Sequence, residues 1–127
     1  MAERSVTAQW EGRYRMTTDV RGFHIPSDEP PPAGEDTGAM PTELLLTALA
    51  SCFGMAVAAA AQRRGRDLRE LEVTVTGTYD GPRFSHLRVA VHSSLSREEL
   101  EPLLERAVHA CYVSNTLLRP PTMEFVV

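Results

Sequence analysis

Two thiols are the side chains in this sequence best suited to chemistry: Cys52, and Cys111 placed 59 residues later. They form no CxxC motif, and His24, His86, His92 and His109 show no i, i+3 or i+4 pair, so no metal site is expected. His109 is two positions from Cys111, which on a helix points it almost the opposite way. Phosphate-cradling glycine loops and nucleophilic-serine elbows are absent, and no cofactor is implied. A buried cysteine is commonly a small hydrophobe, inert because apolar surroundings raise its pKa. In a reducing compartment a reactive thiol competes with that reading better than a structural disulfide does. The residues alone leave both readings open.

The element that must carry Cys52 is Pro41 to Arg64, and within it Leu44 to Ala61 is a run of 18 uncharged residues. That length reaches the lower edge of a bilayer-spanning helix. Its alanine, serine, glycine and threonine make it far less hydrophobic than a typical span, and no membrane partner is expected. The run reads instead as the central helix of a soluble protein, covered all round by sheet and a neighbouring chain. Pro41 suits the first turn, Glu43 the positive end, and Arg63, Arg64 and Arg66 the negative end around a stop at Gly65. Cys52 lies 11 residues inside, beyond the reach of the helix dipole. A nearby cation is then needed to make it a thiolate, and Arg13, Arg15 and Arg21 are the obvious candidates.

The whole chain, 127 residues with 43% hydrophobic content, suits one domain spanning residues 1–127. Its net charge of −4 and the lack of a basic face argue against nucleic acid as a partner. All 13 basic residues are arginine, which is always charged and can clamp a carboxylate or thiolate. No signal-peptide pattern opens the sequence, so the cytoplasm is the expected compartment.

Ser5 to Met16 alternates, with Val6, Ala8, Trp10, Tyr14 and Met16 on one face, and predicts a single half-buried strand. A turn over Asp19 to Gly22 and a short strand over Phe23 to Ile25 complete a hairpin, which must dock on something to be stable. Ser27 to Met40 is an acidic, proline-rich loop, a connection or a lid. Leu71 to Thr76 and Leu87 to His92 read as an antiparallel pair turned at Asp80-Gly81-Pro82. Ser96 and Glu99 make a capping box, with Leu95 and Leu100 as its staple. The stripe Leu100, Leu103, Leu104, Ala107, Val108, Cys111 predicts a helix, and Pro102 predicts a kink or a later start. A short helix over Val113 to Leu118 and a last strand over Thr122 to Val127 follow.

The wording around both thiols carries a resemblance. Pro41-Thr42-Glu43-Leu44-Leu45-Leu46 leading to Ala50-Ser51-Cys52-Phe53, and later Cys111-Tyr112-Val113-Ser114-Asn115-Thr116-Leu117, resemble the OsmC/Ohr family of osmotically inducible and organic hydroperoxide resistance proteins. The resemblance implies an α+β fold in which an antiparallel sheet wraps a long central helix. It also implies an intertwined homodimer whose opening hairpin joins the partner's sheet. By the same resemblance Cys52 is peroxidatic, Cys111 resolves its sulfenic acid as a disulfide, and a dithiol such as a lipoyl group regenerates the pair. The substrate implied is a small organic hydroperoxide. Arg13 matches the family arginine on the first strand, with Arg15 and Arg21 as alternatives. The family glutamate directly follows the proline, where this chain has Thr42, and Glu43 comes one place later. Nine residues of helix, ~14 Å at the usual rise, separate Glu43 from Cys52, so Glu43 could serve only another chain's site or the helix dipole. Tyr112 also stands where the family commonly has proline, and the two departures mark a divergent branch. A redox-sensing or small apolar-ligand-binding dimer, and plain structural thiols, are the competing readings.

Overall fold

Gly12 decides how the fold begins. In this computed structural model, which describes residues 2–127, φ is 113° at Gly12 and 49° at Arg13, and the two left-handed residues turn the chain back on itself. The strand expected over Ser5–Met16 is therefore two strands, β1 (Thr7–Gly12) and β2 (Arg15–Val20), antiparallel with Trp10 opposite Met16. The predicted apolar series has its gap at position 12, where a glycine interrupts it. The Trp10 indole N–H donates to the Arg13 carbonyl at 2.7 Å and closes the turn. A second turn, at Arg21-Gly22, leads into β3 (Phe23–Ser27) and gives the sheet order β1-β2-β3.

The loop after β3 is built on one carboxylate. Asp28 is buried, and it accepts hydrogen bonds from the N–H groups of Glu29, Glu35 and Thr37 and from the Thr37 hydroxyl, at 2.7–3.2 Å. The backbone closes so tightly there that a Cβ on Gly34 would overlap the Glu29 carbonyl. The Asp28 N–H also donates to the Ala39 carbonyl at 3.1 Å, so both ends of the loop are tied. These residues belong to the first of two compact units, Met1–Leu45; the second is Leu46–Val127.

Helix α1 (Pro41–Arg63) starts with proline in the first turn, and Glu43 Oε1 accepts the Met40 N–H at 2.9 Å. By length and apolarity it could cross a membrane. Its buried residues, Leu49, Phe53, Val57, Ala60 and Ala61, nevertheless fall on one stripe that packs in the second unit's core. Ala48, Ser51, Met55 and Ala58 are exposed, so this chain alone covers one face and not the whole circumference.

The core's second wall is the hairpin of β4 (Glu72–Tyr79) and β5 (Phe84–His92), whose Val73, Val75, Leu87, Val89 and Val91 pack inward. Its third is α2 (Arg97–Ala110), which contributes Leu100, Leu103 and Ala107. The capping box forms in both halves, so α2 starts where Ser96 puts it and runs through Pro102. The bond Pro102 cannot donate would go to the carbonyl of Glu98, an exposed residue that water can serve. A short helix, α3 (Tyr112–Leu118), follows. The last strand expected over Thr122–Val127 is absent: no strand among the described residues pairs with it, and Phe125 is 91% exposed.

Two consequences can be measured. Leu103 is fully buried, so Leu103→Ala should cost about 2–5 kcal/mol in urea unfolding, whereas Glu105→Ala, on the exposed face of α2, should stay within about 0.5 kcal/mol. Burial pushes the Asp28 carboxyl up, but the Thr37, Glu29 and Glu35 donors outweigh it and hold it at about 2, below its ordinary 3.8. The stabilisation is therefore complete above pH 4 and is lost as pH falls toward 2. Trp10 fluorescence should report that loss, and Asp28→Asn should flatten the transition.

Candidate functional site

Cys111 owes its place to a break between two helices. With φ −76° and ψ 109° it is extended, so it ends α2 by donating its N–H to Ala107 O at 2.9 Å and starts α3 by accepting the Ser114 N–H on Sγ at 3.4 Å. Its side chain is fully buried beside Leu103 and Ala107 in the core cluster. Cys52, beside the α1 stripe, is half-buried and packs against the cluster that holds Cys111. Both thiols are free. Packing of α1 on α2 thus brings together the two cysteines that lie 59 residues apart in sequence.

Burial pushes the Cys111 thiol up, yet it lies below its ordinary value. The Ser114 hydroxyl and N–H, the Cys52 thiol and the Val113 N–H all favour the thiolate and together prevail. Cys111 is therefore an acidic but enclosed thiol. Cys52 is the reachable one. It opens on a cavity of about 350 Å³ lined by Met55, Ala56, Ala59 and Ala60 of α1, Ala110 of α2, and Tyr112. Arg63 and Arg106 complete the lining. Neither was among the cations expected for Cys52. Arg63 follows Cys52 by 11 residues, about three helical turns, so helical phase alone would have found it.

The remaining expected residues lie in the first unit. Arg13 is at the tip of the β1–β2 turn and not within a strand, because Gly12 has already reversed the chain. Its guanidinium donates to the carbonyls of Pro32 and Ala33 at 3.1 and 2.9 Å and stands 3.9 Å from Glu35. Arg15 donates to the Glu11 carbonyl at 2.8 Å, with Nε 4.0 Å from the same Glu35 carboxylate. Arg21 stacks 5.4 Å over the Phe23 ring. The carboxylate beside the two hairpin arginines is thus Glu35, a loop residue without a periodic signal to mark it. Glu43 has the capping bond to Met40.

The acidity of Cys111 gives a test that does not depend on turnover. In a Cys52→Ser background, thiolate absorbance near ~240 nm should titrate below the ordinary thiol range. Adding Ser114→Ala removes one donor while burial remains, so the midpoint should move up. An unchanged midpoint would mean that the hydroxyl has no part in holding the thiolate.

Known proteins bear on this pair of thiols. The family model described as OsmC-like protein matches residues 34–126. No curated protein sequence matches the chain. Among solved structures, the chain is similar to an OsmC-like protein of Mycoplasma pneumoniae, with 24% identity and a TM-score of 0.77 over 92% of this chain and 88% of that one. It is similar to the organic hydroperoxide resistance protein OhrB of Bacillus subtilis, with 26% identity and a TM-score of 0.67 over 91% and 90%. It is also similar to an organic hydroperoxide resistance protein of Legionella pneumophila, with 23% identity and a TM-score of 0.66 over 92% and 90%. The fold expected from the resemblance is thus the fold these structures share, and both thiols fall inside the matched span: the chain belongs to the OsmC-like protein family.

Proposed function

We propose that the chain is a Cys-based thiol peroxidase that reduces organic hydroperoxides. The observation that carries this reading is a half-buried Cys52 that opens on an apolar cavity and packs against the cluster enclosing Cys111. The Cys52 thiolate attacks one oxygen of the hydroperoxide, the O–O bond breaks, and the alkoxide leaves and takes a proton to become the alcohol. Cys52 is then a sulfenic acid. The Cys111 thiolate attacks that sulfur, water departs with the oxygen, and a disulfide forms. An external dithiol such as a lipoyl group reduces it by exchange and becomes a disulfide itself.

The burial of Cys111 suits a group that must meet sulfenic acid and nothing else, and the apolar lining of the cavity suits an alkyl or aryl hydroperoxide. The names of the Bacillus and Legionella relatives supply the same theme of hydroperoxide resistance. In this reading the chain is one domain and works as a homodimer. The bare face of α1, the exposed Trp10 and Phe23 on the first sheet, and the unpaired residues from Thr122 onward are the surfaces a second copy would cover. Arg13 retains the family role of steadying the Cys52 thiolate, and Glu43 that of a carboxylate serving the neighbouring chain. A non-catalytic redox-sensing or apolar-ligand-binding dimer is the second reading. It is favoured by Thr42 in the family's glutamate position and by the engagement of Glu43 as a cap.

Reduced protein mixed with cumene hydroperoxide and a dithiol should consume peroxide, and Cys52→Ser should abolish turnover. Cys111→Ser should stop after one turnover with sulfenic acid trapped on Cys52. Arg13→Gln should lower kcat/KM about 10²-fold if its charge faces the thiolate. Glu43→Gln keeps an acceptor for the cap, so lost turnover at unchanged stability would identify its electrostatic role. Peroxide that persists while both thiols stay reduced would exclude the enzyme and leave the second reading.

A further inference from the structure

We propose that Cys111 is a redox switch for α3: its reduced sulfur caps the helix, and a disulfide with Cys52 releases that cap, unwinds the first turn and opens one wall of the Cys52 cavity. The trigger rests on the disulfide of the peroxidase reading; the cap does not. Helix α3 has seven residues, and none is buried. A helix that short does not persist in water by itself, and packing here supplies little of the deficit. Its start is held by Cys111. The sulfur accepts the Ser114 N–H at 3.4 Å, as a serine or aspartate oxygen does at an ordinary N-cap, and the Ser114 hydroxyl returns a bond to the Cys111 carbonyl at 3.2 Å. One further tie crosses the break, from Asn115 Nδ2 to the His109 carbonyl at 3.0 Å. The first helical position is Tyr112 and not a proline, so no ring fixes φ there.

Forming the disulfide removes this acceptor in two ways. The two thiols give up two protons and two electrons as the S–S bond forms, and the hydroperoxide that takes them up becomes an alcohol and water. The product sulfur carries no negative charge, so it is a weaker acceptor for the Ser114 N–H than a thiolate. It is also drawn from α3 toward Cys52 on α1. Ser114 is half-buried, and its N–H would be left without a partner. Unwinding the first turn returns that N–H to water, and α3 has no buried side chain to oppose the change. The same turn carries Tyr112, which with Ala110 lines the Cys52 cavity. The oxidised site is therefore wider than the reduced one. Such a cavity admits a small hydroperoxide first and a bulkier dithiol afterwards.

Amide hydrogen exchange on the full-length protein, with free thiols counted in parallel, tests the switch. The oxidant is diamide, whose N=N bond takes up the two protons and two electrons and becomes a hydrazine. Amides from Ser114 to Arg119 should exchange about tenfold faster after oxidation, the factor expected for a lost cap, while Leu103 in α2 stays protected. Cys52→Ser keeps the cap and cannot form the disulfide, so diamide should leave α3 protected. Cys111→Ala has no cap, so α3 should exchange fast without any oxidant. Cys111→Ser, whose hydroxyl can accept the same bond, should stay protected with and without diamide. Slow exchange at Leu103 shows that each variant is folded. A disulfide that forms while α3 remains protected overturns the switch and leaves the peroxidase reading standing, as does a folded Cys111→Ala protein with α3 protected as in the unaltered chain. Thiols that resist diamide overturn the disulfide, and with it both the switch and the resolving step of that reading.

Discussion

The packing of Cys52 against the core cluster that encloses Cys111 is the constraint on which the candidate site depends. It exists because two helices that are distant in sequence bury complementary stripes: Leu49, Phe53, Val57, Ala60 and Ala61 on α1 against Leu100, Leu103 and Ala107 on α2. Cys111 continues the α2 stripe and would be filler if the helix went on. The helix stops there. Extended geometry at Cys111 turns its sulfur toward the Ser114 N–H, so a residue recruited for packing acquires donors that favour its charge. Hydrophobic burial sets the position and local hydrogen bonding sets the chemistry, and neither alone would make the pair asymmetric.

The first unit follows a different logic. It has little apolar core, and a buried carboxylate organises the loop: Asp28 collects four hydrogen bonds over nine residues of sequence. The loop in turn supplies the carbonyls of Pro32 and Ala33 and the carboxylate of Glu35 to the guanidinium groups of the hairpin. Arginines that the family resemblance assigns to thiolate chemistry are held here by backbone and a loop acid. Those contacts are exposed, and exposed ion pairs contribute only about 0–1 kcal/mol, so the arrangement can be exchanged at small cost. Asp28 is the costlier element, because its bonds are enclosed.

Legibility in the sequence tracks the locality of the signal. The capping box at Ser96 and Glu99, the β4–β5 turn and the limits of α1 were all readable because each is decided by a few neighbouring residues. The opening strand departs from its alternation for a local reason: the pattern runs on across Gly12, but the freedom of a glycine to take positive φ outweighs it. The terminal strand failed for a non-local one, since β character at Met123, Phe125 and Val127 cannot form a ladder without a neighbour. The thiol pair was legible only through motif wording. Glu35 and Arg106 were not legible, because tertiary packing delivers them.

The central helix has to satisfy two demands that oppose each other. A helix apolar on every side is cheapest when wholly enclosed, but Cys52 midway along it is half-buried and opens on a cavity. The chain reconciles them by residue size. Large side chains, Leu49, Phe53 and Val57, occupy the core stripe, while alanines at 56, 59 and 60 flank the path that leads away from Cys52. Small residues leave room without adding polarity, so the cavity stays apolar and the charge that addresses it comes from the ends of long arginine side chains. The lack of charge from Leu44 to Ala61 is thus no mark of a membrane segment. It is the condition for a core helix to keep an open, uncharged approach to its cysteine, with every ionic interaction brought in from outside the run.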